Sequence, residues 1–245
     1  MSTKQKILLI TGGSNGIGLA SIKRFKAANY YIINFDIMPS NIADVDILVD
    51  LSSPNAIQDA FDKIKAQFHT IDALISNAGI HYSGTVESTS IDDYYKVINT
   101  NLSSCFFVLK HAVSLMKAHG GRIVTIGSDQ SFIGKGNSAA YGLTKAAIAQ
   151  LTKNIAIDYA QYNISANCVC PGTIDTPLYQ KAVKNYCERS GRSESEVHQE
   201  EKETQLNTRI GTPEEVASLI FYLIHEAGDF ILGSNILIDG GYCAK

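Results

Sequence analysis

Tyr141 and Lys145 stand four residues apart in Ala139 to Tyr159, a segment that reads as one long helix, so a phenol and an ammonium project from the same helical face. A free tyrosine has a pKa of about 10 and is a poor base near neutrality unless positive charge stabilises its phenolate. An adjacent lysine supplies such charge, and the pair is suited to moving a proton on and off an oxygen. A second chemical feature lies near the start of the chain. Thr11-Gly-Gly-Ser-Asn-Gly-Ile-Gly18 follows an apolar strand and opens directly into a helical segment. Gly12, Gly16 and Gly18 let the backbone turn tightly, and with Ser14, Asn15 and Ile17 they let a pyrophosphate reach the helix N-terminus, where free N–H groups favour negative charge. The spacing departs from the general G-x-G-x-x-G dinucleotide pattern.

Asp36 follows 18 residues after Gly18, at the end of the second strand, where a carboxylate can accept both ribose hydroxyls of an adenosine. A 2′-phosphate there would meet like charge, and Ile37, Met38 and Pro39 offer no cation to receive it, so the expected cofactor is NAD rather than NADP. Asp50, after the third strand, either caps the helix starting near Ser53-Pro54 or, with Leu51, meets the adenine.

The elements that must position these groups alternate in period. Strands are expected at Lys6–Thr11, Tyr30–Phe35, Asp46–Val49, Asp72–Ser76, Arg122–Ile126, Ile164–Val169 and Asn235–Ile238, with helix-period segments between most of them. Strands joined by helix-length crossovers are parallel, and near-continuous Ile/Leu/Val runs are covered on both faces. The expected fold class is therefore α/β, a single Rossmann-like doubly wound domain over residues 1–245 with a seven-stranded parallel sheet. One stretch stands apart: residues 178–207 are polar, helical in two pieces around Ser190-Gly-Arg-Ser193, and placed after a strand's C-terminal end, as a substrate lid would be. A solvated surface hairpin of helices is the alternative.

Composition narrows the class of function. With 21 basic against 24 acidic residues, a net charge of -3 and 45% hydrophobic residues, the chain carries no electrostatic footprint for nucleic acid or an anionic membrane, and its partner is expected to be a small molecule. The five cysteines form neither a disulfide framework nor a zinc pattern; Cys168 and Cys170 read as small buried thiols. The six histidines show no metal-ligand spacing, so no metal is expected. Met1 to Lys6 runs into Ile7–Ile10, too short an apolar stretch for a secretory leader or a membrane span, which points to the cytoplasm.

The ordered set Thr11-Gly12-x-x-x-Gly16-x-Gly18, Asn77-Ala78-Gly79, Asn101, Ser128, Tyr141-x-x-x-Lys145 and Pro171-Gly172 resembles the compact branch of the short-chain dehydrogenase/reductase family along nearly the whole chain. The resemblance implies a hydride transfer between a nicotinamide cofactor and a carbinol or carbonyl carbon, and commonly a homotetramer. It makes Tyr141 the general acid/base and has Lys145 bind the nicotinamide ribose and lower the tyrosine pKa. Ser128 would hold the reacting oxygen, and Asn101 rather than the nearby Asn99 would hold a proton-relay water. Ser76 replaces the first Asn of the family's Asn-Asn-Ala-Gly. Ile174 and Thr176 would contact the nicotinamide carboxamide. The sequence around Asn167–Leu178 is similar to members acting on hydroxy acids, cyclic polyols or sugars. Polar Asp129 and Gln130, directly after Ser128, suggest a hydroxylated substrate, with Ser128, Gln130 and Tyr141 as its contacts and His81 and Asn137 nearby. A carboxylate would want an arginine clamp, which Arg189 or Arg192 supplies only if the lid folds inward. Rival classes are a non-catalytic dinucleotide sensor, a ketoacyl-type reductase, and an extended-branch epimerase or dehydratase, for which 245 residues leave no room.

Overall fold

The structure is a computed structural model and describes residues 5–245; Met1–Lys4, part of the stretch read for a leader, lie outside them. Seven strands form one sheet: β1 (Ile7–Thr11), β2 (Tyr31–Asp36), β3 (Val45–Leu48), β4 (Ala73–Ser76), β5 (Gly121–Ile126), β6 (Ile164–Pro171) and β7 (Asn235–Ile238). Their order is β3-β2-β1-β4-β5-β6-β7 and every pairing is parallel, with Thr11 opposite Phe35 on one side and Ser76 on the other. The expected α/β class and strand number hold; the limits of most strands shift by a residue or two.

The helices are α1 (Gly16–Ala27), α2 (Pro54–Gln67), α3 (Ile91–Val97), α4 (Ser104–Met116), α5 (Ala139–Tyr159), α6 (Pro177–Ser190), α7 (Glu194–Glu203) and α8 (Pro213–Phe221). Two cores result, one on each face of the sheet. Leu9, Phe35 and Leu74 pack with Phe61, Leu109 and Ile148 on one face, while Leu8, Ile10 and Ile75 pack with Ile22, Phe25 and Ile220 on the other. Alternate residues of β1 thus serve opposite faces, as the strand period requires. At roughly 1.5–3 kcal/mol for each buried aliphatic or aromatic side chain, these faces hold the sheet between its helices. The helical run from Ile91 to Met116 is interrupted: Ile98–Ser103 forms a wider π turn between α3 and α4. Periodicity alone cannot register such a turn, because it adds a residue without removing the helix.

One buried polar residue ties the sheet to the glycine loop. Asn34, fully buried on β2, accepts from the Gly13 N–H at 2.9 Å and donates to Ser14 Oγ at 3.1 Å and Asp46 Oδ1 at 2.7 Å. Burial opposes the charge of Asp46, but hydrogen bonds from Asn34 and Ser40 outweigh it and hold the carboxyl below its ordinary pKa. Asn34→Ala should leave the Gly13 N–H and one Asp46 oxygen unpaired and cost about 1–3 kcal/mol, a fall of roughly 2–12 °C in thermal midpoint. A calorimetric midpoint equal to the wild type would mean that solvent replaces the amide.

Candidate active site

β1 and β4 are neighbours although far apart in the chain, so the loops leaving their C-terminal ends diverge and open a crevice there. The glycine loop fills one lip. Gly12 (φ +67°) lies so close to β4's exit that a Cβ would sit 2.9 Å from the Ala78 Cα, and a Cβ on Gly18 would overlap the Gly12 carbonyl oxygen. Asn77 stitches the lips together: its amide donates to the Gly12 and Thr11 carbonyls at 2.8 and 3.2 Å, and the Asn77 and Ala78 N–H groups donate to Thr11 Oγ1. Asn15 occupies the N-cap position of α1 without a side-chain capping bond, so the first-turn N–H groups of Gly16, Ile17 and Gly18 have no side-chain cap. That cradle suits a pyrophosphate, with the helix dipole adding to the attraction.

Asp36 ends β2 beside this loop. Its Oδ2 accepts from the Ser14 N–H at 3.0 Å and its Oδ1 from the Ile37 N–H at 2.7 Å, which fix the carboxylate before any ligand arrives. Ser14 Oγ donates to the Met38 carbonyl at 2.6 Å and holds the neighbouring turn. Of the two residues after β3, Asp50 is exposed and accepts from the Ser52 N–H and hydroxyl, while Ser53 caps α2; the capping alternative for Asp50 is corrected. The Leu51 side chain sits in the core with Phe35 and Phe61, so only its backbone faces an adenine.

The proton-handling groups converge where β5, α5 and the π turn meet. Ser128 begins a short turn after β5, and its N–H donates to Ser131 Oγ, which donates to the Lys145 carbonyl at 2.9 Å, so the serine loop is fastened to α5. Lys145 is buried, and its ammonium donates to the Ile126 carbonyl at 2.8 Å and lies over the Tyr141 ring, 5.6 Å from the centroid. Burial lowers its pKa, opposed by the nearby thiols of Cys168, Cys105 and Cys170. Tyr141 is pushed up, first by burial and then by the Asp129 carboxylate, against a hydrogen bond with Ser128. Burial and Asp129 thus outweigh the hydrogen bond at the phenol, and the Lys145 ammonium is engaged by the Ile126 carbonyl. Asn101, fully buried in the π turn, accepts from the Ile80 N–H at 2.8 Å and donates to the Ile80 carbonyl at 2.9 Å and to Thr144 Oγ1. Among the described residues the Asn99 side chain hydrogen-bonds Ser103 alone, while Asn101 lies with Lys145 beside Gly79. Asn34, Thr144 and Ser131 were not singled out from the sequence; only their long-range partners mark them.

A cavity of about 410 Å³ joins these parts, lined from Ile17, Asn77 and Gly79 past Ser128, Tyr141 and Lys145 to Pro171, Gly172, Ile174 and Thr176, with Gln130 on its wall. Thr176 caps α6, accepting from the Tyr179 N–H, and approaches Gly16 across the crevice. Residues 178–207 form α6 and α7, broken at Gly191 (φ +74°). They lean over the cavity: Glu201 accepts from Thr173 Oγ1 at 2.8 Å and pairs with Lys135 at 3.6 Å, and Arg189 donates to the Ser83 carbonyl. His81 lies 5.0 Å from the Tyr141 ring, and burial, then Lys135, lowers its pKa.

Residues 12–243 match the family described as enoyl-(acyl carrier protein) reductase. A 3beta-hydroxysteroid dehydrogenase of Mediterraneibacter gnavus is 32% identical over 97% of this chain and 95% of its own. A short chain dehydrogenase family protein of Francisella tularensis superimposes with a TM-score of 0.93 at 38% identity, covering 98% of this chain and all of the other. Thermoplasma acidophilum aldohexose dehydrogenase does so with 0.91 at 33% identity, over 98% and 95%. The chain belongs to the short-chain dehydrogenase/reductase family. It is an oxidoreductase that acts on the CH–OH group of secondary alcohols with a nicotinamide dinucleotide.

Because burial and Asp129 outweigh the Ser128 hydrogen bond at Tyr141, tyrosinate absorbance of the cofactor-free wild type minus that of Tyr141→Phe should stay flat up to about pH 10. A difference transition centred below pH 8 would show that Lys145 by itself depresses the phenol.

Proposed function

We propose that this chain moves a hydride between NAD(H) and the carbinol or carbonyl carbon of a sugar, polyol or hydroxy acid. The observation that carries the reading is the convergence of Ser128, Tyr141 and Lys145 on one cavity that continues to the glycine cradle. Bound nicotinamide would accept or supply the hydride and, when oxidised, bring the positive charge that the phenolate lacks. Tyr141 takes the carbinol proton during oxidation or returns it during reduction, and Ser128 holds the same oxygen once its hydroxyl turns from Asp129 Oδ1, its partner in the free chain. Two hydroxyls aimed at an oxygen whose charge changes in the transition state stabilise it as that charge develops. Lys145, which donates to the Ile126 carbonyl in the free chain, would hold the nicotinamide ribose. Asn101, whose amide is committed to Ile80 and Thr144, keeps the π turn open, so that its main chain holds the relay water behind Lys145.

Asp36 favours NAD. Its carboxylate is fixed by backbone N–H groups at the ribose end, and residues 37–44 contain no lysine or arginine to meet a 2′-phosphate. Asp50 and the Leu51 backbone would flank the adenine, Ala78 and Gly79 its ribose wall, and Ile174 and Thr176 the carboxamide. The fold acts as one cofactor domain with residues 178–207 as a lid, since Glu201 bridges the cofactor loop at Thr173 and the substrate loop at Lys135. A cytoplasmic homotetramer is the expected assembly: the apolar Tyr95 and Phe106 are exposed on α3 and α4, and among the described residues no helix is long and apolar enough to cross a membrane.

Tyr141→Phe should lower kcat by about 10²–10⁴-fold while the NAD dissociation constant stays near the wild type; near-wild-type turnover would remove the tyrosine from the chemistry. Steady-state rates with the two cofactors should favour NAD by about tenfold or more in kcat/KM, and Asp36→Ala should shrink that margin. Better turnover with NADP would overturn the cofactor assignment.

A further inference from the structure

The cavity beyond Ser128 and Tyr141 holds a buried carboxylate and two buried side-chain oxygens without partners among the described residues. Asp129, 4% exposed, accepts from Ser128 Oγ at 2.6 Å and from the Gln130 N–H at 2.8 Å, both through Oδ1. The Gln130 side-chain oxygen is buried and has no partner among the described residues. Ser138 occupies the N-cap position of α5, where a serine ordinarily turns onto the helix backbone, yet its buried hydroxyl makes no capping bond and has no partner either. All three residues line the same cavity. Unpaired polar atoms in a buried pocket are costly unless a ligand satisfies them, and an O–H on the ligand does so.

The cations around the mouth are all engaged. Lys135 pairs with Glu201, Arg192 with Glu200 at 2.7 Å, and Arg189 donates to the Ser83 and Asn185 carbonyls. The lid has folded inward, but its arginines do not form a clamp. Among the described residues these three cations are already paired, so a carboxylate entering here would be desolvated beside Asp129 without one of them as its partner. The opposite wall is apolar or aromatic, with Leu178, Tyr179, Val183 and Val197.

Resting on the dehydrogenase reading above, we infer that the substrate is an uncharged vicinal diol, or the matching α-hydroxy ketone, with one apolar face, and that Asp129 is the residue that selects it. The reacting carbon gives its hydride to oxidised nicotinamide, its hydroxyl proton leaves through Tyr141, and a C=O forms. The neighbouring hydroxyl is unchanged and donates to the Asp129 carboxylate. A carboxylate in that place would meet repulsion, so hydroxy acids are poor substrates.

The test uses the full chain with NAD and two matched series: cyclohexanol, cyclohexane-1,2-diol and 2-hydroxycyclohexane-1-carboxylate, and butan-2-ol, butane-2,3-diol and 3-hydroxybutanoate. In each series the diol should exceed the plain alcohol by about tenfold in kcat/KM and the acid by about a hundredfold. Asp129→Asn should shrink the diol-to-acid ratio by about tenfold or more, chiefly through KM. Ser138→Ala should lower the diol's advantage over the plain alcohol, which gives a second reading if the Asp129 variant does not fold. Acids oxidised as well as the diols, or a diol-to-acid ratio that Asp129→Asn leaves unchanged, would overturn this inference alone. Absence of nicotinamide reduction with both series and with a wider panel of secondary alcohols would instead overturn the dehydrogenase reading, and this inference with it.

Discussion

In an all-parallel sheet every strand ends on the same edge, and that constraint organises this protein. The glycine loop after β1, Asp36 at the end of β2, Asn77 after β4, Ser128 after β5 and Pro171 at the end of β6 come from positions spread across the chain, yet all emerge along one rim. The order β3-β2-β1-β4 places the reversal of direction between β1 and β4, so the loops part there. Asn77 then bridges the gap, and Gly12 and Gly18 permit a backbone approach that any side chain would block. The hydrophobic faces of the sheet supply the stability that keeps this polar, crowded rim in place.

The proton-handling groups are held under electrostatic tension. Burial raises the Tyr141 pKa and lowers that of Lys145, so each is driven toward its neutral form. Asp129 adds negative charge beside the phenol, which opposes ionisation further. A chain that stabilised the phenolate permanently would bind a charged tyrosine with or without cofactor. In the proposed reaction an oxidised cofactor would supply positive charge beside the phenol, and readiness for proton transfer would follow occupancy of the crevice. The π turn at Ile98–Ser103 serves the same arrangement, because it allows Asn101 to brace the Ile80 backbone while remaining part of a helix.

α6 and α7 add the element of choice. They owe their shape to local signals: Thr176 and Ser193 cap their starts, Pro177 opens the first, and Gly191 ends it in a left-handed conformation. Their orientation comes from a few polar contacts, above all Glu201 with Thr173 and Lys135. Those contacts engage Glu201, and the cavity beside these helices is lined by hydroxyl, amide and carboxylate groups together with Leu178, Val183 and Val197.

The sequence by itself determined the α/β class, the seven strands, the whole of α5 and the family of the chain, because hydrophobic period and glycine, proline and cap positions act over a few residues. It also placed Tyr141 and Lys145 on one helical face. The π turn, the burial of Leu51 and the network of Asn34 were not legible, since each depends on partners distant in the chain or on a single extra residue in a helix. The direction of the Lys145 ammonium was likewise settled only by the fold, which brings the Ile126 carbonyl to it from a neighbouring strand. Local spacing can show which groups share a face of a helix; only the packing of distant elements decides which atom each group meets, because hydrogen bonds act over about 3 Å and that separation is set by the fold.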